Sequence, residues 1–215
     1  MFSVYRKELK LYFRVQSTFV LLAILLAAVG ICTAVFAPMG GLQFIPVYFA
    51  PVLLFTLPLS QIFADRRQRH AHFEDCYFAM GISPLSLTVG RFLAALTVFL
   101  IPVLELALLP LLLLAFGELS LGSIYTSILG LALLTALTAA MVQAILAAVQ
   151  NARARAVCAY LPPVAFYLYQ FFITLLPLEE TPLTLLTEIN PIGLFYAFTY
   201  GRFPIADLIS LVVGT

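Results

Sequence analysis

Residues 6–36 read RKELKLYFRVQSTFVLLAILLAAVGICTAVF, and two opposite chemistries meet inside them. Ser17–Phe36 carries no charge and is apolar almost throughout. A helix needs about 20 such residues to cross a bilayer, and an isolated segment can satisfy its backbone there only as a helix. The residues before it include Arg6, Lys7, Lys10 and Arg14. Short segments rich in Lys and Arg stay on the cytoplasmic side. The stretch therefore predicts a transmembrane helix entered from a cytoplasmic N-terminus.

The same alternation recurs outward along the chain. Arg66, Arg67, Arg69 and Arg91 form a second basic cluster, and Arg153 with Arg155 a third; of the 11 Lys and Arg, Arg202 alone falls elsewhere. Consecutive clusters are separated by room for two crossings and a turn. The predicted spans are Ser17–Phe36, Phe44–Phe63, Phe92–Phe116, Gly122–Val149 and Val157–Leu178. The loops Ala37–Gln43 and Gly117–Leu121 lack positive charge, as exterior loops should. The 215 residues are 63% apolar and 10% charged, against about 45–50% and about 25% in soluble domains. The expected fold is an all-α polytopic membrane protein forming one transmembrane domain over residues 1–215. It has an N-terminal interfacial helix, five transmembrane helices and a partial or truncated sixth.

Residues 1–14 are expected to lie on the membrane rather than cross it. At about 100° per residue, Phe2, Tyr5, Leu9, Tyr12 and Phe13 share one face and the four cations another. That pattern suits an interfacial helix with aromatics in the headgroup boundary and cations toward anionic lipid; a basic cap that only fixes topology is the simpler alternative. Asp65–Met80 reads as a polar cytoplasmic helix or two short ones, with Gly81 as its stop. Ser83-Pro84 reads as an N-cap followed by proline at the first helical position. Arg91 is expected to snorkel its head back to the interface. Residues 179–204 break too often for a crossing and read as an exterior loop or re-entrant segment. Ile205–Thr215 reads as the opening of a truncated sixth span, with a short exterior helix as the alternative.

Catalytic signatures are absent from the sequence. It has no G-x-x-x-x-G-K-[ST], no G-x-S-x-G and no H-E-x-x-H. His70, His72, Glu74 and Asp75 are close in sequence, but positions i and i+2 diverge on a helix and no distant ligand completes a shell. No metal or cofactor is expected, and the net charge of +1 implies no nucleic-acid partner. Cys32, Cys76 and Cys158 make no disulfide framework. No signal peptide is expected, since no small-residue cleavage site follows the first apolar run. Glu105 is the acidic residue inside a predicted span, a functional candidate because a carboxylate there is costly. Pro102 and Pro110 flank it and free backbone groups. It reads as a proton-linked or substrate-contacting carboxylate, a polar tie between helices, or a protonated group hydrogen-bonded to a neighbouring Thr or backbone carbonyl. Ser123, Ser127, Thr135, Thr138 and Ala139 mark a seam for close helix approach, within the bundle or between copies. Pro162-Pro163 predicts a kink or late helix start in the fifth span.

Phe63-Ala64-Asp65-Arg66-Arg67, an acidic-aromatic patch, Ile82-Ser83-Pro84-Leu85-Ser86-Leu87 and Gly90-Arg91-Phe92-Leu93-Ala94 together resemble the loop between the second and third spans of type 2 ABC exporter permeases. Tyr5-Arg6-Lys7-Glu8-Leu9-Lys10-Leu11-Tyr12-Phe13 is similar to that family's opening. Asn190-Pro191, Gly201-Arg202 and Ile205-Ala206-Asp207-Leu208 resemble the exterior segment of its gliding-motility and copper-processing branches. His72-Phe73 stands where the family has Gly-Thr, Arg91 where it has Lys, and Pro84–Gly90 is shorter. The resemblance implies a permease subunit of the bacterial cytoplasmic membrane, working with a second permease in a homo- or heterodimer and with cytoplasmic ATPase subunits. ATP hydrolysis would belong to those partners. Their docking loop would be residues 64–91, with Asp65, Arg66, Arg67, Arg69, Glu74, Asp75 and Tyr77 at the contact. The alternatives are a heme-exporter-type permease, a membrane scaffold that moves nothing, and an ion-coupled secondary transporter using Glu105.

Overall fold

A computed structural model describes residues 2–14, 16–36, 44–70, 79–113, 121–175 and 190–200. Regular structure among the described residues is helical throughout. In chain order the helices are α1 (Phe2–Arg14), α2 (Gln16–Phe36), α3 (Ile45–His70), α4 (Pro84–Leu113), α5 (Leu121–Ala148), α6 (Ala152–Cys158), α7 (Leu161–Leu175) and α8 (Pro191–Thr199). The helical segments Gln16–Phe36, Ile45–Arg67, Pro84–Leu111, Leu121–Ala148 and Ala152–Leu175 are each long and apolar enough to cross a membrane. The chain is an all-α polytopic membrane protein with the five expected spans.

Helix α5 is the centre of the bundle. It packs on α3, α4, α7 and α8, and its Ser127, Thr135, Thr138 and Ala139 are buried. The small-residue seam is thus used inside the chain. Thr135 and Thr138 donate back to Leu131 O and Leu134 O at 2.7 and 2.8 Å, so their hydroxyls need no cross-helix partner. The shared core draws Leu53, Leu54 and Leu57 of α3, Phe99 and Val103 of α4, and Leu131 and Leu134 of α5 into one cluster. The outward apolar residues Ile24 and Ile31 of α2, Leu104 and Leu108 of α4, and Phe171 and Phe172 of α7 are exposed. Lipid, unlike water, exacts no cost for such surface.

The local start and stop signals act as read. Gly81 adopts φ 73°, a conformation that suits glycine. Ser83 Oγ accepts from Ser86 N at 3.3 Å and caps α4, with Pro84 at its first position. The fifth span is broken at Ala159-Tyr160, directly before Pro162-Pro163, and continues as α7. Prolines have no N–H for the helical ladder, so the change of helix falls where they interrupt it.

Two expectations change, and two fall outside the described residues. Residues 65–70 do not form a helix of their own; nothing breaks the chain after Phe63, and α3 runs on to His70. Residues 71–78 and 201–215 lie outside the described residues, so the rest of the polar helix and the sixth span are not described. Helix α1 buries Val4, Glu8 and Tyr12, a face turned by about a quarter turn from the aromatic one. Phe13 is exposed and contacts Phe19. The reason is α4, which offers α1 a trough of small residues. A Cβ on Gly90 would lie 2.8 Å from Val4 Cγ1, and Tyr12 packs on Ala94 and Ala95. Protein, more than lipid, therefore receives the buried face of α1.

At the far end of α5, α8 forms a short cap. Asn190 Oδ1 accepts from Ile192 N at 3.2 Å, and its Nδ2 donates to Gln170 Oε1 at 2.9 Å and Phe166 O at 3.3 Å. Thr126 Oγ1 donates to Phe198 O at 2.9 Å. Gly130 admits Phe198, since a Cβ there would stand 2.8 Å from Phe198 Cβ.

Candidate functional site

Polar side chains that a membrane bundle would ordinarily exclude collect where α1, α3, α4 and α5 meet. Glu8, Tyr12, Gln61, Ala64, Asp65, Arg91 and Gln143 line a cavity of about 10 Å³ there. A volume of that size admits about one water centre. Each residue is delivered by helical phase. On α1, Glu8 lies between Val4 and Tyr12 at spacings of four. On α3, Leu54, Leu57, Gln61, Ala64 and Asp65 continue one buried stripe across the boundary from apolar to charged sequence.

Ion pairs hold the junction. Arg155 Nη1 donates to Asp65 Oδ2 at 2.7 Å. Its Nε donates to Val149 O at 2.7 Å and its Nη2 to Gln150 O at 2.8 Å. One guanidinium thus closes the C-terminal end of α5, whose last carbonyls lack helical donors, and ties it to α3. Asn151 Oδ1 caps α6 through Arg153 N at 3.0 Å and sets the turn that aims Arg155 inward. The second pair is looser. Arg91 Nε stands 3.7 Å from Glu8 Oε1, joining α4 to α1. Tyr5 Oη and Thr97 Oγ1 are 3.2 Å apart along the same contact.

Burial raises the Tyr12 phenol well above its ordinary 10.0, and the nearby Glu8 carboxylate adds to the effect. Tyr12 therefore remains a protonated donor at neutral pH. Gln61 is 1% exposed; its Nε2 reaches Ala139 O at 3.5 Å, and no hydrogen-bond donor among the described residues meets its Oε1. Balanced charges, a neutral phenol and two amides make the junction a polar joint between helices. Among the described residues no group of three His, Cys, Asp or Glu could hold a metal.

The sequence-named docking residues divide. Asp65 is turned inward, 9% exposed, and pairs with Arg155. Arg66 and Arg67 are exposed on the last turns of α3. The Arg69 side chain, Glu74, Asp75 and Tyr77 lie outside the described residues. Arg91 is directed at Glu8 of α1, with its Nε 3.7 Å from Glu8 Oε1. Glu105 is half-buried on α4, away from the junction, and no donor among the described residues reaches its Oε2.

Sequence reasoning missed Glu8, Gln61, Gln143 and the inward role of Arg155. The stripe spacing on α1 and α3 carried a signal for Glu8, Gln61 and Asp65. The described members of the three basic clusters share one end of the bundle, set by the α1–α4, Arg91–Glu8 and Arg155–Asp65 contacts. Comparison with known proteins finds no matching family model, no matching curated protein and no matching solved structure.

Proposed function

We propose that the chain is the membrane-spanning permease subunit of an ATP-driven exporter of the type 2 ABC kind, with no catalytic site of its own. The observation that supports this most is the end of α3. The helix continues past its apolar stretch to His70 with Arg66 and Arg67 exposed, and Arg155 anchors it to α5 at Asp65. A continuous helix fixed at its base is suited to pass a push from outside the membrane into the bundle. A driven transporter without a phosphate-binding loop requires a separate motor. In this reading Arg66, Arg67, Arg69, Glu74, Asp75 and Tyr77 meet cytoplasmic ATPase subunits, and a second permease completes the complex. The protein sits in a bacterial cytoplasmic membrane with its basic end inside, where the positive-inside tendency places such clusters.

The test is purification of the chain from its native membrane in mild detergent. A P-loop ATPase should accompany it in stoichiometric amount. Replacing Glu74 and Asp75 with Lys should release that subunit while the helical bundle remains folded. A wild-type chain that carries no ATPase contradicts the reading, and a variant that keeps it contradicts the docking surface.

A further inference from the structure

The exposed face of α1 is a cationic strip that carries none of the helix's own carboxylates. At about 100° per residue, Arg6, Lys7, Lys10 and Arg14 fall within about 100° of arc, and all are exposed. Glu8 is the acidic residue of this helix, and it points the other way, 2% exposed and 3.7 Å from Arg91 Nε. Helical phase alone keeps this carboxylate off the strip.

The chain path fixes where the strip lies. Arg14 ends α1, and the spanning helix α2 begins at Gln16. Helix α1 also packs beside the first turns of α4, through Val4 on Leu87 and Tyr12 on Ala94. A cationic surface held at the mouths of two spans is at headgroup depth. We infer that this strip binds the headgroups of acidic phospholipids in the adjoining leaflet.

The mode of binding follows from what α1 has already buried. A free interfacial helix inserts its apolar face and so responds to lipid packing and curvature. Here Val4, Tyr5, Leu9 and Tyr12 are committed to α4 and α3, and among the described side chains of the helix Phe13 is the exposed large apolar one. Selection is therefore by headgroup charge, is weakened by salt, and is indifferent to curvature. It depends on the fold and not on the transport reading.

The experiment places the full chain in phosphatidylcholine membranes containing a minor share of phosphatidylglycerol. Spin-labelled forms of each lipid report the composition of the shell around the protein. Wild type should enrich phosphatidylglycerol, equally in small and large vesicles, and lose the enrichment at high salt. Lys10→Gln with Arg14→Gln should lower it by about fivefold or more. Both side chains are exposed, and the wild-type salt titration tests the idea without any substitution. Enrichment unchanged by the double substitution, unchanged by salt, or following vesicle curvature would overturn the inference.

Discussion

Arg155 Nη1 lies 2.7 Å from Asp65 Oδ2, and the two residues are 90 positions apart in sequence. The pair joins the end of α3 to the turn after α5, and the same guanidinium holds the carbonyls of Val149 and Gln150. Removing one partner of a buried pair costs about 3–5 kcal/mol, because the other charge remains buried. Asp65→Asn should fall at the low end of that range, since an amide oxygen still accepts. Arg155→Ala should cost more, because two carbonyls also lose their donor. Asp65→Leu combined with Arg155→Met should recover part of the loss. Thermal unfolding in mild detergent checks the order; equal midpoints for all variants would contradict the joint.

Tyr12 makes stability depend on alkaline pH. Its phenol is raised by burial and by Glu8 in the folded chain, and has its ordinary 10.0 in the unfolded chain. Below pH 10 both states keep the proton and nothing is lost. Above it, the unfolded state releases the proton first, so stability falls as pH rises. Tyr12→Phe should flatten that fall relative to wild type in unfolding curves taken on either side of pH 10. Parallel curves for the two proteins would contradict the buried phenol.

Gly90 sets two effects against each other. Alanine is better than glycine in a helix by about 1 kcal/mol. Its Cβ, however, would stand 2.8 Å from Val4 Cγ1 and 3.3 Å from Tyr5 N, and backbone cannot yield as a flexible side chain does. Overpacking of this kind costs about 1–3 kcal/mol. Gly90→Ala should therefore loosen α1 without melting α4. Trypsin cleavage at Lys7 and Lys10 should quicken while helical circular dichroism stays level; unchanged cleavage would contradict the close approach.

The parts of this architecture legible in the sequence are those encoded locally. Charge-free runs such as Ser17–Phe36 fix spans, and Ser83-Pro84 and Pro162-Pro163 fix a helix start and a break. What was hidden depends on how each helix turns about its axis. Asp65 stands among Arg66, Arg67 and Arg69 and reads as solvated, yet its phase continues the buried stripe from Leu54. Glu8 lies off the cationic face by helical phase, and only the trough at Gly90, Ala94 and Ala95 shows that its own face is packed inward. The Asp65–Arg155 and Glu8–Arg91 pairs arise from packing between distant helices, which no local pattern contains. Five spans could be read directly; their polar joint required the bundle.

Gly130 tests the opposite end. Its missing side chain lets Phe198 lie against α5, with α8 held by Thr126 and Asn190. Gly130→Val should displace α8 and cost about 1–3 kcal/mol, whereas Gly122→Ala, with nothing within 4 Å of its added Cβ, should be tolerated. Thermal unfolding of the two variants side by side distinguishes them, and equal losses would contradict the contact.

The central claim is that an external ATPase drives this bundle through the end of α3. The direct measurement is ATP hydrolysis by the purified complex in proteoliposomes, comparing wild type with Arg66→Glu combined with Arg67→Glu. The account predicts hydrolysis by the wild-type complex and a fall to background in the variant, with the Asp65–Arg155 joint and the folded bundle intact. A complex without hydrolysis, or a chain that moves protons alone and stops when Glu105 becomes Gln, would contradict it.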